Sequence, residues 1–172
     1  MKRLILMRHA KTEPWHEGVD DHGRALIERG IKDATAIGAE LDARGWRPDS
    51  AMVSTARRAR ETWRHASASW PDLPVTLDDA LYLAAPQTIE SVLSAATLAG
   101  TLILIGHNPG LHEFACILDR RGPPGNAYAH DRLFEKFPTG CAALFEAGEE
   151  AAYHSSAFRL VDVIRPKDLE DD

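Results

Sequence analysis

Short apolar runs that break off into charged residues set the pattern of this chain. Leu4-Ile5-Leu6-Met7 gives way at once to Arg8, His9 and Lys11. Ala51-Met52-Val53-Ser54 leads into Thr55-Ala56-Arg57-Arg58-Ala59-Arg60, and Thr101-Leu102-Ile103-Leu104-Ile105-Gly106 leads into His107-Asn108-Pro109-Gly110. Continuous apolar runs this short are expected of strands buried on both faces, as in a parallel sheet. The segments between them have another period. From Leu26 to Arg44 the apolar positions Ile31, Ala34, Ile37, Ala39 and Leu41 recur at helical spacing, with Gly45 placed to end the helix. Further helices are expected over Ala56–Ser69, closed by Pro71, over Pro86–Ala96, which opens on a proline, and over Leu111–Leu118. Val75-Thr76-Leu77 reads as a short third strand.

Two segments read as loops: polar Glu13–Gly23, and Arg120–Asp131, which contains Gly122-Pro123-Pro124-Gly125-Asn126. Cys141–Phe145 and Phe158–Ile164 look like strands with no helix between them, joined by a turn at Glu146–Glu150 and paired antiparallel. The expected fold is α/β: one domain over residues 1–172, a three-layer α/β/α sandwich with a mostly parallel sheet and an antiparallel edge near the C-terminus.

Composition narrows the function classes. The chain has 172 residues and a formal charge of -6, which argues against nucleic acid as a partner. A cationic pocket for a phosphorylated ligand remains compatible with that charge. No apolar run approaches a membrane span or a signal-peptide core, so no membrane partner and a cytoplasmic location are expected. Cys116 and Cys141 lie far apart in apolar company and read as reduced, buried thiols. No His-Glu-x-x-His or paired-Cys spacing accompanies the histidines, so no metal and no cofactor is expected. The absence of a Gly-rich loop followed by Lys-Ser/Thr removes a nucleoside-triphosphatase reading.

What remains is the chemistry at three strand ends. Parallel strands deliver the residues that follow them to one carboxyl edge, where α/β proteins bind ligands. Arg8, His9, Arg58 and His107 would meet there. Guanidinium forks bind phosphate bidentately, and two of them neutralise a dianion. An imidazole held in one tautomer can accept a phosphoryl group, and a second one can stabilise its charge. The residues alone leave open which histidine is the nucleophile.

Leu6-Met7-Arg8-His9-Ala10-Lys11-Thr12 resembles the Arg-His-Gly signature of the histidine phosphatase superfamily, with Ala10 where Gly is common. Ser54-Thr55-Ala56-Arg57-Arg58-Ala59-Arg60-Glu61-Thr62 is similar to the family's second element and selects Arg58 over Arg57 and Arg60. Gly106-His107-Asn108-Pro109 matches the third. Asp21-His22-Gly23-Arg24-Ala25-Leu26 and Glu28-Arg29-Gly30 resemble the branch named for the phosphohistidine phosphatase SixA, which Ala10 also suits. The resemblance implies that His9 is the nucleophile, phosphorylated during turnover, and that Arg8, Arg58 and His107 hold the phosphate, inorganic phosphate and other oxyanions included.

Larger relatives carry a carboxylic acid between the second and third elements that protonates an alkoxide leaving group. Here the candidates are Asp78 and Asp79, with Glu90 further on, and each also reads as an ordinary solvated carboxylate. The lack of a convincing acid favours a phosphohistidine substrate, whose imidazole leaves already protonated. The expected function is therefore removal of a phosphoryl group from a phosphorylated protein. The alternatives are a broad phosphomonoesterase acting on small metabolites or nucleotides, and a phosphate-recognition module without turnover. Trp15, Tyr82 and the Arg120–Asp131 segment are candidates for the pocket rim.

Overall fold

The computed structural model describes residues 1–96, 100–148 and 153–170. Its strands are β1 (Arg3–Arg8), β2 (Ser50–Ser54), β3 (Val75–Asp78), β4 (Thr101–Gly106), β5 (Ala142–Ala147) and β6 (Phe158–Ile164). They form one sheet in the order β3-β2-β4-β1-β5-β6. β1, β2, β3 and β4 run parallel, β5 is antiparallel to β1, and β6 is antiparallel to β5. The three apolar runs are the three central parallel strands, and Leu4 to Met7 have no exposed surface. Burial on both faces is why those runs do not alternate.

Odd and even positions of the central strands feed different layers. Ile5, Met7, Val53, Ile103 and Ile105 pack with Ile37, Leu41, Trp63 and Trp70, from or just beyond α1 (Glu28–Ala43) and α2 (Arg57–Ala66). Leu4, Leu6, Leu102 and Leu104 pack on the opposite face against α3 (Pro86–Ala95), α4 (Gly110–Arg121) and α5 (Ala127–Glu135), through Leu93, Leu111, Phe114, Leu118 and Leu133. Each such side chain contributes about 1.5–3 kcal/mol by leaving water. Two glycines allow a close backbone approach to a helix. A Cβ on Gly38 of α1 would lie 2.0 Å from the Ala66 carbonyl oxygen, and one on Gly110 would lie 1.8 Å from that of Ala84.

The segment Arg120–Asp131 is not the uninterrupted loop expected from its glycines and prolines. α4 runs on to Arg121, and α5 starts at Ala127. Asn126 caps α5, its side-chain oxygen accepting from the backbone N–H groups of Tyr128 at 3.0 Å and Ala129 at 3.2 Å. Only Gly122–Asn126 between the two helices lacks regular structure. α2 stops at Ala66, with one 3-10 turn over Ser67–Ser69. The C-terminal strands pair as expected, although β5 continues to Ala147 and shifts register between Leu144 and Phe145. Of the expected turn, Glu149 and Glu150 lie outside the described residues. Among the described residues no helix is long and apolar enough to cross a membrane.

Candidate active site

Strand register gathers the site. Met7 pairs with Ile105 and Val53 pairs with Ile105, so β1, β4 and β2 end in one row, with Arg8 opposite Gly106. His9 and His107 each follow that row directly. The His9 backbone N–H donates to the Gly106 carbonyl at 3.1 Å. The two imidazoles stand 5.2 Å apart, close to one strand spacing, and are tilted 50° to each other. Arg58 enters from the first turn of α2 and is 2% exposed.

The His9 ring has one defined tautomer. Its Nδ1 lies 2.8 Å from the Ala10 carbonyl oxygen, which can only accept, so Nδ1 carries the hydrogen and Nε2 keeps its lone pair. Ala10 is itself anchored, its N–H donating to the Thr62 hydroxyl at 2.9 Å while that hydroxyl donates to the Arg58 carbonyl at 2.6 Å. The His107 Nε2 is 2.7 Å from the Ser54 hydroxyl, which can donate or accept, and its buried Nδ1 has no partner among the described residues.

The cations are held by groups distant in sequence. Arg8 donates through Nη1 to the Phe137 carbonyl at 3.2 Å, and Asn108 donates to the same oxygen at 2.9 Å. Gly140 closes this contact by donating to the Arg8 and His9 carbonyls at 3.2 and 3.0 Å. Arg58 donates through Nη1 to the Asp21 carbonyl at 2.7 Å and through Nη2 to its Oδ2 at 3.2 Å. The Tyr82 hydroxyl donates to that same Oδ2 at 2.5 Å, and its ring meets His107 edge-on with centroids 5.6 Å apart. Arg24 donates to Asp21 Oδ1 at 3.0 Å.

These charges explain the titration behaviour. Burial, followed by the nearby Arg58, Arg8 and Arg24, pushes His9 down to about 3 against the partial opposition of the Ala10 carbonyl. Burial, then His9, Arg58 and Arg8, pushes His107 down to about 3, with Asp21 opposing. For Asp21, desolvation works against ionisation but is outweighed by the Tyr82 hydroxyl, Arg58 and Arg24, so its carboxyl sits at about 2. Two neutral imidazoles therefore face guanidiniums at neutral pH. Burial raises both thiols, Cys116 to about 11 and Cys141 to about 12, so neither ionises there.

Arg8, His9, Arg58 and His107 come together, whereas the acid candidates are engaged elsewhere. Asp78 accepts from the Ala80 N–H at 2.8 Å and caps the 3-10 turn Asp79–Leu81. Asp79 accepts from the Thr55 hydroxyl at 2.7 Å, and Thr55 in turn accepts from His22 Nε2 at 3.0 Å. Glu90 pairs with Arg121 at 2.9 Å. Tyr82 lines the site, and Trp15 is exposed. Among the described residues no group of three His, Cys, Asp or Glu side chains is placed to hold a metal ion. Asp21, Arg24, Ser54, Thr62 and the Phe137 carbonyl hold the site together without a role visible in the sequence. The first four lie inside quoted motifs, but the Phe137 carbonyl carries no side-chain signal at all.

Comparison with known proteins bears on the family and the fold. Residues 4–82 match the model of the histidine phosphatase superfamily, branch 1. An uncharacterized protein of Mycobacterium tuberculosis is 37% identical over 163 residues, covering 94% of this chain and all of that protein. A SixA structure from Nakamurella multipartitia, to which phosphohistidine phosphatase activity is ascribed, superposes with a TM-score of 0.80 at 29% identity, covering 96% of each chain. A protein histidine phosphatase SixA solved with tungstate shares the fold, with a TM-score of 0.76 at 18% identity over 98% of this chain and 99% of that one. Motifs, strand-end geometry and full-length relatives converge: the chain belongs to the histidine phosphatase superfamily, branch 1.

Proposed function

We propose that this protein is a phosphohistidine phosphatase of the SixA type, working through a covalent phosphohistidine on His9. The observation that carries this reading is the bond from His9 Nδ1–H to the Ala10 carbonyl, which leaves Nε2 as the unprotonated nitrogen. His107, whose Ser54 partner can donate or accept, suits the complementary task of donating to a phosphoryl oxygen. Arg8 and Arg58 supply guanidinium donors, and the phosphate displaces the Asp21 carboxylate from the Arg58 fork.

The reaction then runs in two balanced steps. The Nε2 lone pair of His9 attacks phosphorus, a P–N bond forms, and the substrate's P–N bond breaks with its electron pair going to an imidazole already protonated on its other ring nitrogen, which leaves neutral. Water attacks the phosphorus of the intermediate, the P–Nε2 bond breaks, and inorganic phosphate leaves with His9 regenerated. Phosphoryl transfer gains chiefly from positioning and charge stabilisation, which these side chains provide.

Leaving-group chemistry favours a phosphoramidate. The carboxyl bonded to Arg58 is that of Asp21, and at about 2 it is ionised at neutral pH and has no proton to give. Asp78 and Asp79 serve a helix cap and Thr55. An alkoxide leaving group would forgo the ~10²–10⁴-fold that a general acid supplies, whereas an imidazole departs without one. The SixA neighbours support the same substrate class, and the tungstate complex of one supports an oxyanion site here. The test compares a phosphohistidine peptide with phosphoserine peptide and sugar phosphates in the wild type and in Asp78→Asn and Asp79→Asn. Preference for phosphohistidine, unchanged in both variants, is expected. Preference for sugar phosphates that either variant abolishes would establish the phosphomonoesterase instead.

A further inference from the structure

A second cationic concavity opens on the same rim. A cavity of about 280 Å³ has Lys11, Arg29, Asp33, Lys136, Arg165 and Lys167 in its wall. Five of these side chains are basic and one is acidic, on a protein whose formal charge is -6. Arg29 is neutralised by Asp33 and Glu170, and Arg165 by Glu135. The ammonium groups of Lys11, Lys136 and Lys167 form no ion pair among the described residues, so the cavity keeps uncompensated positive charge. Arg165 is 3% exposed, and its Nε has no partner among the described residues, so part of the wall is a buried cation and not only mobile surface lysines.

The sheet sets where this cavity lies relative to the phosphate site. Met7, Ala142 and Ile164 form one row across β1, β5 and β6. Arg8 is one residue beyond that row on β1 and Arg165 one residue beyond it on β6. Neighbouring strands are about 4.8 Å apart, which puts the two arginines about 10 Å apart along the rim. The segment between them belongs to both: Lys136, Pro138 and Thr139 line the cavity, while the Phe137 carbonyl holds Arg8 and the Gly140 N–H holds His9. A peptide in the polyproline II conformation advances about 3.1 Å per residue with three residues per turn, so a side chain three positions from a phosphorylated residue faces the same way and spans that gap.

We propose that this cavity binds a carboxylate of the phosphoprotein substrate, an aspartate or glutamate about three residues from the phosphohistidine, read by Lys11, Lys136 and Lys167. The proposal rests on the phosphohistidine phosphatase reading for its substrate but not for its binding test. The first measurement is fluorescence anisotropy with labelled hexaglutamate at low salt. The wild type binds, Lys136→Gln/Lys167→Gln binds about tenfold more weakly, as two partly exposed ion pairs predict, and Lys2→Gln/Arg47→Gln at the opposite edge binds as the wild type does. Equal binding by wild type and the Lys136/Lys167 variant overturns the proposal whatever the enzyme's substrate.

The second measurement compares phosphohistidine peptides with Glu or Gln three residues away. In the wild type kcat/KM favours the Glu peptide about tenfold through KM. In Lys136→Gln/Lys167→Gln the ratio falls to near one, with kcat on the Gln peptide unchanged. The same ratio in both proteins also overturns the proposal. Failure to turn over any phosphohistidine peptide refutes the functional reading instead, and the binding measurement still decides the cavity.

Discussion

His9 and His107 are both neutral in the unliganded protein at pH 7, because burial beside two guanidiniums disfavours further positive charge. A bound phosphoryl dianion reverses that balance at His107 and draws a proton onto its ring. Vanadate binding measured by calorimetry in two buffers of different ionisation enthalpy should therefore show net proton uptake near pH 7.5, and buffer-independent heat would contradict it. The same shifts set the acid limb of stability. Both imidazoles titrate near 3 in the folded chain against an ordinary 6.5, so the unfolded chain binds more protons between those values. Stability is therefore lost as pH falls from about 6.5 toward 3, by at most about 1.4 kcal/mol per pH unit for each imidazole. Asp21, held at about 2 against 3.8, adds a loss of the same sign below about 4. Urea midpoints at pH 7 and pH 5 check this, with a smaller difference expected in His9→Ala. Arg58→Lys keeps the charge but loses the planar fork, and should lower kcat/KM about 10²-fold with an unchanged circular dichroism spectrum.

At the scale of elements, α2 is tied to β1 through Thr62, which bonds both the Ala10 N–H and the Arg58 carbonyl. Thr62→Val keeps the shape and orphans a buried N–H, so it should cost about 1–3 kcal/mol and lower kcat by displacing His9. Rescue by Thr62→Ser identifies the hydroxyl as the cause. Gly38→Ala forces a methyl group into the Ala66 carbonyl and should lower the melting temperature while leaving KM near that of the wild type. The central strands and their polar exits were legible because burial on both faces writes an unbroken apolar run, and Arg8, His9, Arg58 and His107 directly follow such runs or open the next helix. α5 was not legible, because Gly122–Gly125 dominates its neighbourhood and the one signal for its start is the Asn126 cap. Asp21 lay in a polar loop where no periodicity points, and its partners Arg58 and Tyr82 are distant in sequence.

Over the whole molecule the formal charge is -6, whereas Arg8, Arg24 and Arg58 act together on the two histidines of the pocket, an arrangement that focuses positive field there. The chemistry assigned to that pocket needs only side chains of this chain, so turnover should survive EDTA. Activity lost on chelation and restored by a divalent ion would require a different mechanism. The central claim is that His9 Nε2 carries the phosphoryl group between the two steps. Rapid quenching with a radiolabelled phosphohistidine peptide tests it directly. The account predicts label on the protein that is stable in alkali, labile in acid, located at His9 and absent from His9→Ala. Turnover without a labelled protein, or label that persists in His9→Ala, would contradict it.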